Sequence, residues 1–262
     1  MERRREPLPT RVQDTPPLPS TYHKALDDGL ASLGLDLTPD ARGVVDGHAR
    51  LLLAWTAAIN LTAIREPRAV ALGHVVDSLT SVPVITARRP RRLLDLGSGG
   101  GYPGIPVAAI LGTAEPGTEM TLLEPIGKKA RFLATVVDAT ALTGRAHVDR
   151  RRAEELGRDG SGVRWDMVLA RAVATTADLV ELAFPVLAPG GSLVAWKRGD
   201  LASELSGVRR AVDALGGGDV EVIDVGLRGL DGHRLVVATR APGGSITDRF
   251  PRDPAQRTRA PW

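Results

Sequence analysis

Hydrophobic positions recur three and four residues apart in "TYHKALDDGLASLGL", from Thr21 to Leu35, the spacing of one buried helix face. A second helical stretch, "LTPDARGVVDGHARLLLAWTAAINL", opens with a start signal: Thr38 as N-cap, Pro39 at the first helical position and Asp40 in the first turn. A third fits "EPRAVALGHVVDSLTSV", from Glu66 to about Val82. At Arg91 the pattern changes kind. Short apolar runs ("RLLDLG", "EMTLLEP", "RAHVDR", "WDMVLARAV", "GGSLVAWKRG") alternate with helical stretches ("GIPVAAILG", "GKKARFLATVVDATAL", "TADLVELAFPVLA", and about Asp200 to Leu215). That alternation predicts an α/β fold with a mostly parallel sheet and crossover helices. The last two runs, "VEVIDVGL" and "HRLVVATR", are joined only by "RGLDG" at 228–232. Five residues cannot hold a crossover helix, so these two must pair as an antiparallel hairpin. The expected organisation is a disordered extension over 1–20, which holds five prolines and no hydrophobic period, then a small helical region over 21–85. A seven-stranded α/β domain follows over 86–240, and a basic flexible tail over 241–262.

Composition narrows this picture. Hydrophobic residues make up 43% and charged residues 25% of 262, ordinary for a soluble globular chain. No apolar run approaches the ~18 residues that would span a bilayer. The N-terminus, Met-Glu-Arg-Arg-Arg and then Pro-rich sequence, has no apolar signal core. A cytoplasmic protein with no membrane partner, monomeric, is the expectation. There are no cysteines, which excludes thiolate metal sites and any cysteine nucleophile, and with it the usual route to methylation at C5 of a pyrimidine. Net charge is +3, and residues 240–262 account for all of it with five arginines and two aspartates. Such a tail suits phosphate contact or is simply a solvated end. No His/Asp/Glu cluster has metal-ligand spacing, so no metal is expected.

Candidate chemistry centres on "LLDLGSGGGYPGIP", residues 93–106. Counted from Gly99 it is a dinucleotide fingerprint, Gly99-x-Gly101-x-x-Gly104; counted from Asp95 it is Asp95-x-Gly97-x-Gly99-x-Gly101, the first motif of S-adenosylmethionine (SAM) methyltransferases. The terminal hairpin favours the second register, because a dinucleotide domain continues with parallel crossovers. Asp95 favours it too. A carboxylate at the end of the first strand can pair, directly or through water, with the ammonium of SAM, whereas a dinucleotide site turns backbone amides to a pyrophosphate. Glu124, 23 residues after Gly101 at the end of the second strand, suits the ribose hydroxyls of either cofactor.

Beyond the loop, "NLTAI" at 60–64, "GHVVDSL" at 73–79, "LLEPIGKKARFL" at 122–133, "RAEEL" at 152–156 and "ARAVA" at 170–174 join it in a recognisable set. Over roughly residues 22–240 the chain resembles the bacterial small-subunit ribosomal RNA guanine-N7 methyltransferases (RsmG/GidB). The resemblance implies a Rossmann-like class I SAM-dependent methyltransferase acting on N7 of one guanine in 16S rRNA of the small ribosomal subunit. It implies Gly97, Ser98, Gly99, Gly101 and Tyr102 as the cofactor loop, with Ala153 and Glu154 at the adenine and Arg171 at the methionine end or the substrate. His74, Asp77 and Ser78 fall on the helix before the catalytic domain, and Asn60 precedes it. The chain departs from the family's pattern at Gly73, Ala170 and Arg198. A methyltransferase of the same fold with another substrate, and a SAM- or RNA-binding protein without catalysis, stay open as alternatives.

The residues themselves agree with N7 chemistry. The Asn/Asp-Pro-Pro-aromatic signature of adenine amino-methylation is missing after the fourth strand, where the chain reads "LARAV". Guanine N7 carries a lone pair and no proton, so methyl transfer to it needs no general base and rests on alignment. Arg171 and Lys197 are candidates to hold phosphate or guanine O6, and His74, otherwise a packed histidine on an amphipathic helix, is a candidate to contact substrate only through the resemblance. Trp196 is either a stacking platform or core. "RRPRR" at 88–92 lies before the first strand, away from the strand ends where ligands bind, and reads as a solvated linker.

Overall fold

A computed structural model describes residues 7–114 and 117–262. Its strands are β1 (Arg92–Leu96), β2 (Glu119–Leu123), β3 (Ala146–Asp149), β4 (Trp165–Arg171), β5 (Leu187–Arg198), β6 (Gly218–Asp224) and β7 (His233–Arg240). They form one sheet in the order β3-β2-β1-β4-β5-β7-β6. The first five are parallel, and β7 is antiparallel to both β5 and β6. All seven apolar runs read from the sequence became strands, including the closing hairpin.

Strand alternation divides the core in two. Leu93, Met120, Leu122, Met167, Leu169, Val194 and Val237 point to one face; Leu94, Leu123, Val168, Leu193, Ala195 and Val236 point to the other. The second face is covered by α8 (Ala153–Gly157), α9 (Thr176–Ala183) and α10 (Ala202–Ala214). The first carries α6 (Gly104–Ala114) and α7 (Gly127–Ala139), and over these the N-terminal helices α1 (Ser20–Leu33) and α2 (Pro39–Thr56) form a further layer. The start of α2 is as expected, with the Thr38 side chain accepting from Ala41 N at 3.3 Å.

The third helical stretch is longer and less regular than its periodicity predicted. It runs Pro67–Arg88 as α3 (Pro67–Val70), a π-helical segment (Ala71–Val76), α4 (Asp77–Leu79) and α5 (Val82–Arg88). By length and composition alone it could cross a bilayer, contrary to the sequence reading, but 61% of its apolar window is buried inside the protein. It is a core helix. The π segment widens the helix where it carries Gly73 and His74, a distortion found often at functional sites.

Both chain ends correct the sequence reading. Residues 1–6 lie outside the described residues, but 7–20 are docked rather than a free extension. Leu8, Val12 and Leu18 pack on the first core, Trp55 Nε1 donates to Pro9 O at 2.8 Å, and Arg50 Nε donates to Pro16 O at 3.0 Å. Prolines have little backbone freedom to lose, so docking such a segment costs less entropy than its composition suggests.

The tail is folded as well, ending in α11 (Pro254–Arg259). Glu181 of α9, fully buried, accepts from Arg252 N at 2.6 Å, from Arg252 Nη2 at 2.6 Å and from Trp262 Nε1 at 2.8 Å. Arg257 pairs with Glu154 at 2.5 Å, Arg240 Nη1 donates to Leu187 O at 2.6 Å, and Arg249 lies over the Phe250 ring. Three of the five tail arginines, Arg240, Arg252 and Arg257, are thus engaged by the fold, while Arg249 and Arg259 stay exposed.

Candidate active site

The glycine loop leaves β1 under tight constraint. Gly97, Gly99 and Gly101 all take positive φ (74°, 54° and 87°), where a side chain would strain the backbone. A Cβ on Gly101 would also come within 2.5 Å of Ile105 Cδ1 and 2.8 Å of His48 Nε2. Gly104 has a separate reason to be glycine: a Cβ there would sit 2.6 Å from Asp95 Oδ2 and 2.6 Å from Leu122 Cδ2. Asp95 needs that closeness, because its Oδ2 accepts from Gly104 N at 3.1 Å.

Asp95 is buried beneath the loop, and its Oδ1 has no hydrogen-bond partner among the described residues. Burial pushes its carboxyl up to about 7, against the pull of its hydrogen bonds. A buried carboxylate with one unmatched oxygen, under a loop at the carboxyl ends of the strands, is a site that favours a cation nearby. Glu124 faces the same loop. One of its oxygens accepts from Gly99 N at 2.9 Å and the other from Ile126 N at 2.8 Å, leaving lone pairs on a fixed carboxylate. Ile126, next to it, is 45% exposed, one of three large apolar side chains so exposed among the described residues; a second, Val173, packs over Gly97. An acid anchored for a diol and bare apolar walls beside it fit a nucleoside with a charged tail such as SAM.

Beside the loop lies a cavity of about 570 Å³. It brings together Gly97, Ser98, Gly99, Tyr102, His74, Arg171 and Lys197 of the sequence-predicted set. Asp95, Gly101 and Glu124 support the loop from outside it. Ala153 and Glu154 also lie outside, at the start of α8, where the Glu154 carboxylate is engaged by Arg257.

One hydrogen-bonded chain runs along the cavity wall. Arg171, at the end of β4, donates from Nη1 to Asp77 Oδ2 at 2.8 Å and to Gly73 O at 3.0 Å, and from Nη2 to His74 Nδ1 at 3.0 Å. Asp77 Oδ1 accepts from His233 Nδ1 at 2.8 Å, and His233 Nε2 accepts from Arg198 Nε at 2.8 Å. A guanidinium only donates, so these contacts fix both tautomers: His74 carries its proton on Nε2 and His233 on Nδ1. The Tyr102 ring is sandwiched between two imidazoles, His48 at 4.3 Å and His74 at 4.6 Å between centroids. Burial lowers His48 to about 4; burial and the Arg171 charge lower His74 to about 3. Both rings are neutral at physiological pH.

Three residues named from the sequence have structural employment. The Lys197 ammonium donates to Glu204 Oε1 at 2.8 Å and Ala174 O at 3.2 Å, tying β5 to α10. Trp196 is 6% exposed and donates from Nε1 to Asp77 O at 2.8 Å, so it is core and not a stacking platform. Ser78 Oγ donates to His74 O at 2.6 Å, within the helix. Sequence reasoning missed His48, Thr62, Ile126, Lys129 and His233. Thr62 lies within "NLTAI", and Ile126 and Lys129 within "LLEPIGKKARFL", so three of the five sat in segments the sequence had already marked. Among the described residues no group of three or more His, Asp or Glu is arranged to hold a metal.

The family model described as rRNA small subunit methyltransferase G matches residues 44–228. "Ribosomal RNA small subunit methyltransferase G" of Geobacter sp. (strain M21) is 39% identical over 218 residues, covering 82% of this chain and 96% of that protein. The protein of the same name from Stenotrophomonas maltophilia (strain K279a) is 38% identical over 228 residues, covering 86% of this chain and 98% of its own. Among solved structures, the O-methyltransferase TomG of Streptomyces achromogenes in complex with SAM aligns at a TM-score of 0.54, with 16% identity over 84% of this chain and 98% of that one. The Bacillus cereus O-methyltransferase solved with SAH gives 0.53 at 17% identity, over 74% and 91%. At such identities these two speak to the fold alone.

Proposed function

The chain belongs to the ribosomal RNA small subunit methyltransferase G family, and from that premise we propose that it transfers the methyl group of SAM to N7 of one guanine in 16S rRNA. The observation that carries the N7 reading is that each histidine and carboxylate lining the cavity is already engaged. His74 has both nitrogens bonded, to Arg171 and Thr62, and Asp77 has both oxygens bonded, to Arg171 and His233. His233 is held between Asp77 and Arg198. A nucleophile that must lose a proton is poorly served there. Guanine N7 has none to lose.

When bound, SAM supplies an electrophilic methyl on a sulfonium. The N7 lone pair would form the new bond, the sulfur would keep the electron pair of the old one, and the positive charge would pass to the base. What this chain contributes is orientation. Asp95 holds the loop by Gly104 N and offers an unmatched oxygen towards positive charge. Glu124, its carboxylate fixed by Gly99 N, would take the ribose hydroxyls, and Ile126 and Val173 would offer apolar contact to the adenosine. Arg171, locked by Asp77 and the Gly73 carbonyl, presents a fixed cation to the cavity, and Arg198, Lys129 and Arg171 form a basic lining for an RNA phosphate. We place the enzyme in the cytoplasm, acting as a monomer.

The test is incubation with labelled SAM and small ribosomal subunits from a strain lacking the enzyme. Label is expected in 16S rRNA, and strand scission specific for N7-methylguanine should report one position. Label at a ring carbon or an amino group would overturn the N7 assignment while leaving the family's SAM-dependent chemistry intact.

A further inference from the structure

Thr62 is half-buried on the cavity wall beside the glycine loop, and its hydroxyl oxygen is already saturated as an acceptor. Arg171 Nη2 donates to His74 Nδ1, so His74 must donate from Nε2, and it does so to Thr62 Oγ1 at 2.7 Å. The backbone N–H of Ile64 donates to the same oxygen at 3.0 Å. A hydroxyl oxygen has two lone pairs, and both are taken. What remains is its own proton, which none of the hydrogen bonds among the described residues uses. From Arg171 outward the chain thus has one direction: Arg171 donates to His74, His74 donates to Thr62, and the hydroxyl facing the cavity is left as a pure donor.

Resting on the guanine-N7 reading, we propose that Thr62 is a specificity-determining residue that donates its hydroxyl proton to O6 of the target guanine. O6 neighbours N7 on the same edge of the base, and both are acceptors there. Adenine presents an N7 acceptor too, but its neighbour is an amino group that only donates. Against adenine, the Thr62 hydroxyl would face donor with donor and could not turn an acceptor to it, because His74 and Ile64 occupy both lone pairs. The hydroxyl reads the base while leaving N7 free to attack. This also gives the Arg171–His74 contact a purpose beyond packing: it sets the tautomer that makes the hydroxyl donor-only.

The experiment compares small subunits reconstituted with 16S rRNA carrying either guanine or 2-aminopurine, which keeps N7 but lacks O6, at the methylated position. Single-turnover rates are measured for the wild type, Thr62→Val and Thr62→Ser, with thermal unfolding of each variant as a folding control. The wild type should favour guanine by about 10- to 100-fold, the range for one hydrogen bond to a buried group. T62V should lose most of that ratio by slowing on guanine only, and T62S should restore it. Intrinsic reactivity of the two bases cancels when ratios are compared between variants. A ratio unchanged in T62V, or equal slowing on both bases, overturns the proposal while N7 methylation of guanine stands. Absence of N7 label with every protein overturns the functional reading and the proposal together.

Discussion

Replacing Arg252 by Met should destabilise the protein as much as removing a large core side chain, although Arg252 belongs to a tail whose composition reads as flexible. The Glu181 carboxylate beneath it is 0% exposed and sits among Leu179, Val180, Leu182 and Ala183 on a buried helix. Arg252 supplies it with three donors: backbone N at 2.6 Å, Nη2 at 2.6 Å and Nε at 3.0 Å. Met keeps the backbone donor and the side-chain volume but removes the guanidinium, leaving a buried charge with only Arg252 N and Trp262 Nε1. Breaking a buried pair from one side costs about 3–5 kcal/mol, so the thermal midpoint should fall by about 10 °C in a domain of this size. Urea unfolding should show the loss as a lower midpoint with the slope unchanged. Adding Glu181→Gln removes the stranded charge, and the double variant should recover most of the loss. A single variant within about 1 kcal/mol of wild type would show the tail undocked in solution. A double variant no better than the single would show that the cost was packing and not charge.

Gly104→Ala should cost about 3 kcal/mol by overpacking and weaken SAM binding, since its Cβ would meet Asp95 and Leu122 at 2.6 Å; Gly43→Ala, in α2 with nothing within 4 Å, should stabilise by about 0.5–1 kcal/mol. Equal effects of the two in urea unfolding would refute the steric account. The pH dependence of stability is a third check. With folded pKa values near 4 and 3, His48 and His74 stay unprotonated while the unfolded chain takes up a proton at each below about 6.5, so they withdraw stability as pH falls from 6.5 towards 4. Asp95, near 7 when folded, acts oppositely, its contribution falling as pH rises from about 4 to 7. Two protons against one leave stability from these groups rising by about 1.4 kcal/mol per pH unit near pH 5. Ring-proton NMR gives the direct readout: a midpoint above pH 6 for either histidine would contradict the burial.

The sheet was legible because its information is local. Each of the seven apolar runs carries its own strand signal, the five-residue "RGLDG" connection forces the hairpin, and Thr38-Pro39-Asp40 announces α2 within three positions. The loop was legible because glycine spacing and the two acids lie in one strand–turn–helix unit. Gly104 belongs only to the dinucleotide register, and its constraint in the structure is the approach to Asp95. The polar chain on the cavity wall was not legible. His48 reaches Gly100 across 52 residues, Arg171 reaches Asp77 across 94, and His233 reaches Asp77 across 156. No spacing rule sees such partners. The tail failed for a related reason: composition counts five arginines as solvated charge, while the matching acids, Glu181 and Glu154, sit on helices far back in the chain. Glu181 inside "TADLVELAF" was the available clue, a charge in an apolar helix that must be paired if it is buried.

The most direct test of the central claim is nucleoside mass spectrometry of 16S rRNA after reaction of the purified protein with SAM and unmodified small subunits. One equivalent of 7-methylguanosine per 16S rRNA, lost with Arg171→Met, is the predicted result. Retained SAM binding with no methylated nucleoside in the RNA would contradict it.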